Sequence, residues 1–449
     1  MPNLIDKLLK VLQSRRGKDM RFLCRHLLSQ RGEASQTALA QEIINAYGRM
    51  DGSQRVHFYQ MLCTEFAPDA QAVRQAAANY SETPNALNLS LLAAAVEPPR
   101  QELLRRINTA PLGTETLVTL RKHLLDLPAK APDISPLDAD LRHLFRSWFN
   151  RGFLSLRSIS WQTSAIILEK LIRYESVHEI NGWTDLRRRL QSDRRCFAFF
   201  HPALVDEPII FVEVALANGL TGELESLLDL KAPVLESEKV NTAIFYSINN
   251  CLDGLRGIPF GNFLIKQVVV ELAAEFPNIR NFCTLSPLPR FSQVLLDAKN
   301  KDGFTAQRLS ALLASHAASL TRAGKRSDPV DAFFVLLKEP VANREVLAAP
   351  LSRLALAYLT EARQNGKIAD PVAAFHLSNG ARLEKINAFG NLRPYGIKAS
   401  FGITINYRYE PDELEENHER FVTTGQIKVS EGLSREREIV KKAWHAEPA

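Results

Sequence analysis

The stretch with the clearest chemical meaning is Arg256-Gly257-Ile258-Pro259-Phe260-Gly261-Asn262. It follows a β-rich apolar run and precedes a helical pattern, and its glycines would let backbone N–H groups approach an anion closely. The first turn of the following helix would add partial positive charge. The pattern is typical of pyrophosphate binding, although a structural turn before a helix explains the two glycines equally well.

This loop resembles the R-G-x-G-x-G/A loop of the GNAT acyltransferase superfamily, which binds the pyrophosphate of coenzyme A. The sequence departs from that pattern at Pro259, which stands where the middle glycine usually falls and has no N–H to donate. The resemblance implies coenzyme A contacts from six residues of the loop: Arg256, Gly257, Ile258, Phe260, Gly261 and Asn262.

Four polar residues elsewhere have an ordinary structural interpretation when each is considered alone. Ser286 precedes a proline, as turn and strand-end residues do. His376 lies between Phe375 and Leu377 and is typical of a buried structural histidine. Asn379 and the glycine after it are a common helix-stop signal, and Tyr409 is most simply a packed strand aromatic.

Several catalytic motifs are missing from the sequence. It contains no G-x-x-x-x-G-K-[ST], no G-x-S-x-G and no H-E-x-x-H, and its ten histidines show no metal-ligand spacing. Its five cysteines are far apart and mostly lie in apolar runs, which predicts buried thiols in a reducing compartment. A metalloenzyme and a serine hydrolase of the elbow type are therefore disfavoured.

Composition and charge favour a globular protein that binds a small anion. The net charge is +6, but the basic residues are scattered and no nucleic-acid-binding module is recognisable. No apolar run approaches the roughly 18 residues that span a bilayer. The N-terminal segment has the spacing of a first helix from Leu4 to Leu12 and no signal-peptide core, so a cytoplasmic location without membrane attachment is expected.

The periodicity of the chain changes near residue 150. Residues 1–150 show helical spacing throughout, which predicts an all-helical domain. The remainder predicts an α/β domain with a mixed sheet, so the fold class is α+β. Strands are predicted at 196–200, 209–216, 242–247, 279–285 and 400–409, a helix at 261–276, a helical insertion near 303–365, and mixed helix and loop at 373–387.

Longer segments of the second part resemble the malonyl-CoA decarboxylase family. They are WFNRGFLSLRSISWQTSAIILEKL (148–171), the run from Val177 to Leu216, TAIFYSINNCLDGLRGIPFGNFLIKQVVVEL (242–272), FCTLSPLPRF (282–291) and HLSNGARLEKIN to GITINYRY (376–409). The resemblance implies a helical N-terminal domain, used for assembly into a homo-oligomer (dimer or tetramer), and a GNAT-like catalytic domain at 151–449.

The same resemblance implies a catalytic Ser–His dyad, Ser286 and His376, with Tyr409 in the site. Tyr409 and Asn379 are expected to support the dyad or the substrate carbonyl, and Asn379 is expected to contact the substrate. The expected activity is cofactor-independent conversion of malonyl-CoA to acetyl-CoA and CO2, as in fatty acid metabolism, with no metal and no nucleic-acid partner. Ser286 would orient the carboxylate, and His376 would be the general acid or a proton relay because imidazole titrates near neutral pH. The alternatives are a GNAT-type acyltransferase and a non-enzymatic interaction protein.

Overall fold

A computed structural model describes residues 19–30, 32–128, 133–258, 263–297, 303–364 and 366–446. The expected first helix at Leu4–Leu12 and the loop residues Pro259 to Asn262 lie outside the described residues. The chain divides into two compact units. One comprises Met1–Ser155, Phe199–Ile210 and Asn250–Gly261, and the other comprises Leu156–Ala198, Phe211–Asn249 and Asn262–Ala449.

The N-terminal part of the first unit is helical, as the periodicity predicts, and its described residues up to 128 include no strand. Acidic and amide side chains begin several helices; the Asp51 carboxylate, for example, accepts the backbone N–H of Gln54 in a capping box. The helices are α1 (Met20–Ser29), α2 (Glu33–Gly48), α3 (Gly52–Glu65), α4 (Ala70–Glu82), α5 (Ala86–Val96), α6 (Pro99–Asn108), α7 (Gly113–Leu125) and α8 (Ser135–Trp148).

The hairpin of α4 and α5 contributes no buried residue to this unit. The sequence of α5, ALNLSLLAAAV, is nevertheless almost entirely apolar. Its large side chains are exposed, with Leu87 at 68%, Leu89 at 51% and Leu91 at 52%. Other helices of the unit instead bury a leucine-rich face, as α6 does with Leu103 and Leu104.

An eight-stranded mixed sheet forms from the second part of the chain, which confirms the predicted α+β class. Its order is β1-β2-β3-β4-β5-β10-β6, with β9 also paired to β10. The strands are β1 (Ser155–Ile159), β2 (Arg194–Phe200), β3 (Pro208–Ala217), β4 (Thr242–Asn250), β5 (Asn281–Thr284), β6 (Ser286–Pro287), β9 (Arg382–Asn387) and β10 (Thr404–Tyr409), and a separate pair holds β7 (Arg363–Gln364) and β8 (Lys367–Ile368).

Helices account for most of the remaining described residues of this part, and the predicted helical run near 303–365 is confirmed. They are α9 (Ala165–Tyr174), α10 (Trp183–Arg189), α11 (Leu224–Leu228), α12 (Phe263–Glu275), α13 (Phe291–Leu296), α14 (Ala306–Leu313), α15 (Ala317–Gly324), α16 (Pro329–Leu336), α17 (Arg344–Thr360), α18 (Pro371–Ser378), α19 (Pro394–Ser400), α20 (Leu414–Thr424) and α21 (Glu431–Trp444). Phe304 makes an edge-to-face ring contact with Trp444 of α21, which ties the insertion to the C-terminal helix.

Two strand predictions were inaccurate. The 373–387 segment contains a full strand, β9, whose charged residues Arg382, Glu384 and Lys385 hide the apolar alternation. The strand predicted at 400–409 begins only at Thr404, because α19 and a left-handed turn at Phe401 (φ 53°) precede it. Both errors arose where side-chain polarity or local turn geometry overrides the period-two pattern.

The two faces of the central strands have different roles. On one face, Ile244, Tyr246 and Leu285 pack with Leu224 and Leu227 of α11 in a buried apolar cluster. The opposite face carries Phe245 and, paired with it on β5, Thr284. This second face holds the residues described next.

Candidate active site

The strands β4 and β5 pair in parallel only at the start of β4. The register runs from Thr242 opposite Asn281 to Phe245 opposite Thr284, and the N–H of Leu285 donates to the carbonyl of Phe245 at 2.9 Å. Farther along, the next donor from this strand to β4 would be residue 287, and Pro287 has no N–H. Pro287 thus prevents this strand from donating to β4 beyond Leu285.

Ser286 lies on β6, which pairs only with β10 among the described strands. Their antiparallel register places Ser286 opposite Ile405. β4 continues to Asn250, beyond the last residue that it pairs with β5. Ser286 thus lies just past the last residues that β4 and β5 pair. It is 5% exposed.

The helix α18 holds His376, and its two ends explain its short length. The Asp370 carboxylate accepts the N–H groups of Val372 and Ala373 at 2.9 and 3.0 Å, which caps the start of the helix. The helix ends two residues after His376. Gly380 adopts a left-handed φ of 83°, and a Cβ there would lie 2.1 Å from the carbonyl oxygen of Leu414, so only glycine fits.

Asn379 closes the last turn of this helix. Its side-chain amide donates to the carbonyl of Phe375 at 2.7 Å, and it is buried. The backbone N–H of Ala381 in turn donates to the carbonyl of His376 at 3.1 Å. The structure therefore gives Asn379 a place in holding the His376 helix, and the predicted contact with substrate stays a prediction.

The structure brings Ser286, His376 and Tyr409 together although they are far apart in sequence. The Oγ atom of Ser286 lies 2.9 Å from Nε2 of His376, and the hydroxyl of Tyr409 lies 2.7 Å from Nδ1. One face of the imidazole stacks on the ring of Tyr407, with the ring centroids 4.7 Å apart. All four side chains are buried.

Thr284, which no sequence motif marks, extends this set of hydrogen-bonded side chains. The Ser286 hydroxyl donates to Oγ1 of Thr284 at 2.8 Å, and the same oxygen accepts the backbone N–H of Tyr407 at 3.1 Å. Residues two apart in a strand share a face, so Thr284 before Ser286 and Tyr407 before Tyr409 could have been found from the period of two. The row of hydrogen-bonded groups is Tyr409, His376, Ser286 and Thr284.

Burial keeps this row uncharged. It lowers the pKa of His376 to about 3 and raises the pKa of the Tyr409 phenol well above its ordinary value. The imidazole is therefore neutral at pH 7. The expectation that His376 titrates near neutral pH was wrong, because burial disfavours the charged imidazolium.

The described part of the predicted coenzyme A loop belongs to the other unit. Gly257 is exposed and adopts a left-handed φ of 76°, and the Ile258 side chain is buried. The guanidinium of Arg121 donates to the carbonyls of Gly254 and Arg256 at 2.6 and 2.9 Å, which fixes the backbone that leads into the turn. Phe260, Gly261 and Asn262 lie outside the described residues, so their predicted contacts stay predictions.

Candidate metal sites, membrane-spanning helices and disulfides are absent from the part of the chain that the structure describes. It contains no group of three or more His, Cys, Asp or Glu residues placed to hold a metal ion. None of its helices is long and apolar enough to cross a membrane. No disulfide joins the five cysteines, all of which fall in the described ranges, and four of them are buried.

Two family models match the chain. The model of the malonyl-CoA decarboxylase N-terminal domain matches residues 66–149, and that of the C-terminal domain matches residues 152–447. Among curated relatives, the mitochondrial malonyl-CoA decarboxylase of Anser anser anser is 35% identical over 349 residues, which is 74% of this chain and 68% of the relative. The mitochondrial malonyl-CoA decarboxylase of Mus musculus is 31% identical over 414 residues, which is 87% of this chain and 84% of the relative.

Solved structures give the same result. The crystal structure of malonyl-CoA decarboxylase from Rhodopseudomonas palustris is 42% identical with a TM-score of 0.83, and the match covers 94% of this chain and 99% of that one. That of the Agrobacterium vitis protein is 41% identical with a TM-score of 0.82, covering 93% and 99%. The chain belongs to the malonyl-CoA decarboxylase family, whose members are carboxy-lyases.

Proposed function

We propose that this chain converts malonyl-CoA to acetyl-CoA and CO2, with Ser286, His376 and Tyr409 as its catalytic side chains. The observation that carries the proposal is the contact of Ser286 Oγ with His376 Nε2 at 2.9 Å, just past the last paired residues of β4 and β5. Family membership supports malonyl-CoA as the substrate. The buried row supports acid–base chemistry at the serine end.

Decarboxylation requires an acceptor for one electron pair and a source of one proton. When the bond between the α-carbon and the carboxylate breaks, its electron pair moves into the thioester carbonyl and forms an enolate. The thioester is thus the electron sink, and the proposal requires no metal or organic cofactor. The α-carbon then takes one proton, so the reaction overall consumes one proton from solvent.

In this proposal Ser286 turns its hydroxyl from Thr284 to the substrate and orients the malonyl carboxylate or the thioester oxygen. His376 acts as a neutral relay. Burial lowers the pKa of the imidazole to about 3, which disfavours the imidazolium. The relay interpretation is therefore favoured over an imidazolium acid.

We further propose that residues 256–262 bind the phosphates of coenzyme A. The left-handed Gly257 and the carbonyls held by Arg121 support a fixed turn in front of the loop. Pro259 removes one N–H donor from the GNAT pattern. A cytoplasmic location and a role in fatty acid metabolism remain predictions from the sequence.

Removal of the dyad tests the proposed function. Purified protein incubated with malonyl-CoA alone should release CO2 and acetyl-CoA, whereas an acyltransferase would need an added amine. His376→Ala should lower kcat by about 10²- to 10⁴-fold with KM little changed, because acid–base groups contribute on that scale. Ser286→Ala should lower kcat by a similar or smaller factor. The double variant should lower kcat by much less than the product of the two single effects. Wild-type kcat in either single variant would contradict the proposal.

Thr284 should matter through its hydroxyl. Thr284→Val keeps the side-chain shape but removes the acceptor of two hydrogen bonds, which leaves the buried N–H of Tyr407 unpaired and should cost about 1–3 kcal/mol of unfolding free energy. Ser286 would also lose its partner, so kcat should fall. Thr284→Ser retains the oxygen and serves as the control. Equal kcat and melting temperature in the two variants would show that the hydroxyl has no such role.

The coenzyme A loop can be tested at Gly261. Gly261→Val should raise KM for malonyl-CoA while kcat stays near the wild-type value, because a side chain there would keep the backbone away from a phosphate. Gly48→Val is a suitable control, since Gly48 has open space around its Cβ position in the helical unit. An unchanged KM in folded Gly261→Val protein would leave the loop with a structural role only.

Assembly through the helical unit is a further part of the proposal. The apolar helix α5, with no buried residue, fits a second copy of the chain. Leu87→Glu with Leu91→Glu places two charges one turn apart on this helix and should reduce the mass measured by sedimentation to that of a monomer. Val422→Glu, at another exposed apolar position on α20, is the control. A monomeric wild-type protein would refute the assembly.

A further inference from the structure

The hydrogen bonds of the catalytic row have a fixed direction. The geometry of the Ser286–Thr284 contact makes Ser286 the donor to Thr284. A hydroxyl has one proton, so in the contact with Ser286 the proton must lie on Nε2 of His376. A neutral imidazole protonated at Nε2 accepts at Nδ1, so the Tyr409 hydroxyl donates there. Every proton in the row therefore points from Tyr409 toward Ser286.

The group beside Nδ1 has unusual chemistry for a Ser–His pair. Where such a pair acts as a base, a carboxylate accepts from Nδ1–H and stabilises the imidazolium. Here the partner is a phenol, which has a proton of its own and no negative charge to offer. The row thus holds a donor at the end farthest from Ser286.

We propose that Tyr409 is the acid of the reaction and that its phenol proton reaches the α-carbon through His376 and Ser286. This inference rests on the proposed decarboxylation and names the source of its proton. The Tyr409 hydroxyl contacts His376 and, in the part of the chain that the structure describes, no other hydrogen-bonding group. The phenol proton has only this route out of the buried site.

Three proton transfers connect the Tyr409 phenol to the enolate carbon. The Ser286 O–H bond breaks as the new C–H bond forms at the enolate carbon. Ser286 regains a proton from Nε2 of His376, and Nδ1 takes the phenol proton, so a phenolate remains on Tyr409. A thioester enolate is far more basic than a phenolate, so the sequence runs downhill. Water at the Ser286 end then supplies the proton that restores Tyr409 by the reverse route.

Among the residues that the structure describes, no side chain outside the row hydrogen-bonds to Tyr409 or to the imidazole of His376. Tyr409 faces Phe245 from β4 and His376 from α18, and burial alone raises the pKa of its phenol. Burial is likewise the one cause that lowers the pKa of His376. Asp370 caps the far end of α18, and His418 of α20 contacts the carbonyl of Ser378 and not the imidazole.

The test varies the acidity of the phenol while keeping its shape. Tyr409 is replaced by 3-fluorotyrosine and by 3,5-difluorotyrosine, and kcat for malonyl-CoA is measured against pH. Burial places the wild-type limit above the ordinary range of a phenol. An ionised phenol has no proton to give, so each added fluorine should lower the pH above which kcat falls. Tyr409→Phe, which keeps the packed ring, should lower kcat about 100-fold or more with KM within about twofold.

Tyr407→Phe is the matched comparison. It removes a buried hydroxyl from the same strand face, one with no hydrogen-bond partner among the described residues, and it keeps the stacked ring. It should leave the alkaline limit of kcat where the wild-type protein has it. A limit that does not move across the fluorotyrosine series would overturn the inference, as would kcat within about threefold of wild type in folded Tyr409→Phe. If the wild-type protein releases no CO2 from malonyl-CoA, the proposed function itself fails.

Discussion

The hydrogen bond between the Tyr409 hydroxyl and Nδ1 of His376 is the interaction on which the chemistry of this site depends. A buried histidine without a countercharge stays neutral, and its pKa of about 3 reflects that cost of burial. A neutral ring can pass a proton but cannot act as an imidazolium acid. The choice of tyrosine in place of a carboxylate therefore favours proton delivery over the activation of a nucleophile.

Local features of the second unit hold this row in place. Pro287 cannot donate a hydrogen bond to β4, and Ser286 lies just past the last paired residues of β4 and β5. The helix that carries His376 is limited to eight residues by the Asp370 cap and by Gly380. Thr284 ties the serine to the backbone of Tyr407, so strand, serine and imidazole hold one another in place. Small local features, each explained by one residue, thus determine the geometry of the site.

Much of this organisation could be predicted from sequence, and the failures have physical causes. The helical first part, the strands at 196–200, 209–216 and 242–247, and the meeting of Ser286 with His376 were expected, although the pairing came from family resemblance and not from spacing. Thr284 was missed because a threonine in an apolar strand carries no motif. The neutral state of His376 could not be predicted, since it depends on burial and on the partner at Nδ1, both of which only the folded chain supplies.

The central claim concerns the protonation of one ring, and nitrogen NMR of His376 in the folded protein measures it directly. The signals of both ring nitrogens would be recorded at pH 7 for the empty protein and for the protein bound to an analogue in which a sulfonate replaces the malonyl carboxylate. We expect a neutral imidazole with its proton on Nε2 in both states. An imidazolium in either state, or a neutral ring protonated at Nδ1, would contradict the proposed relay from Tyr409.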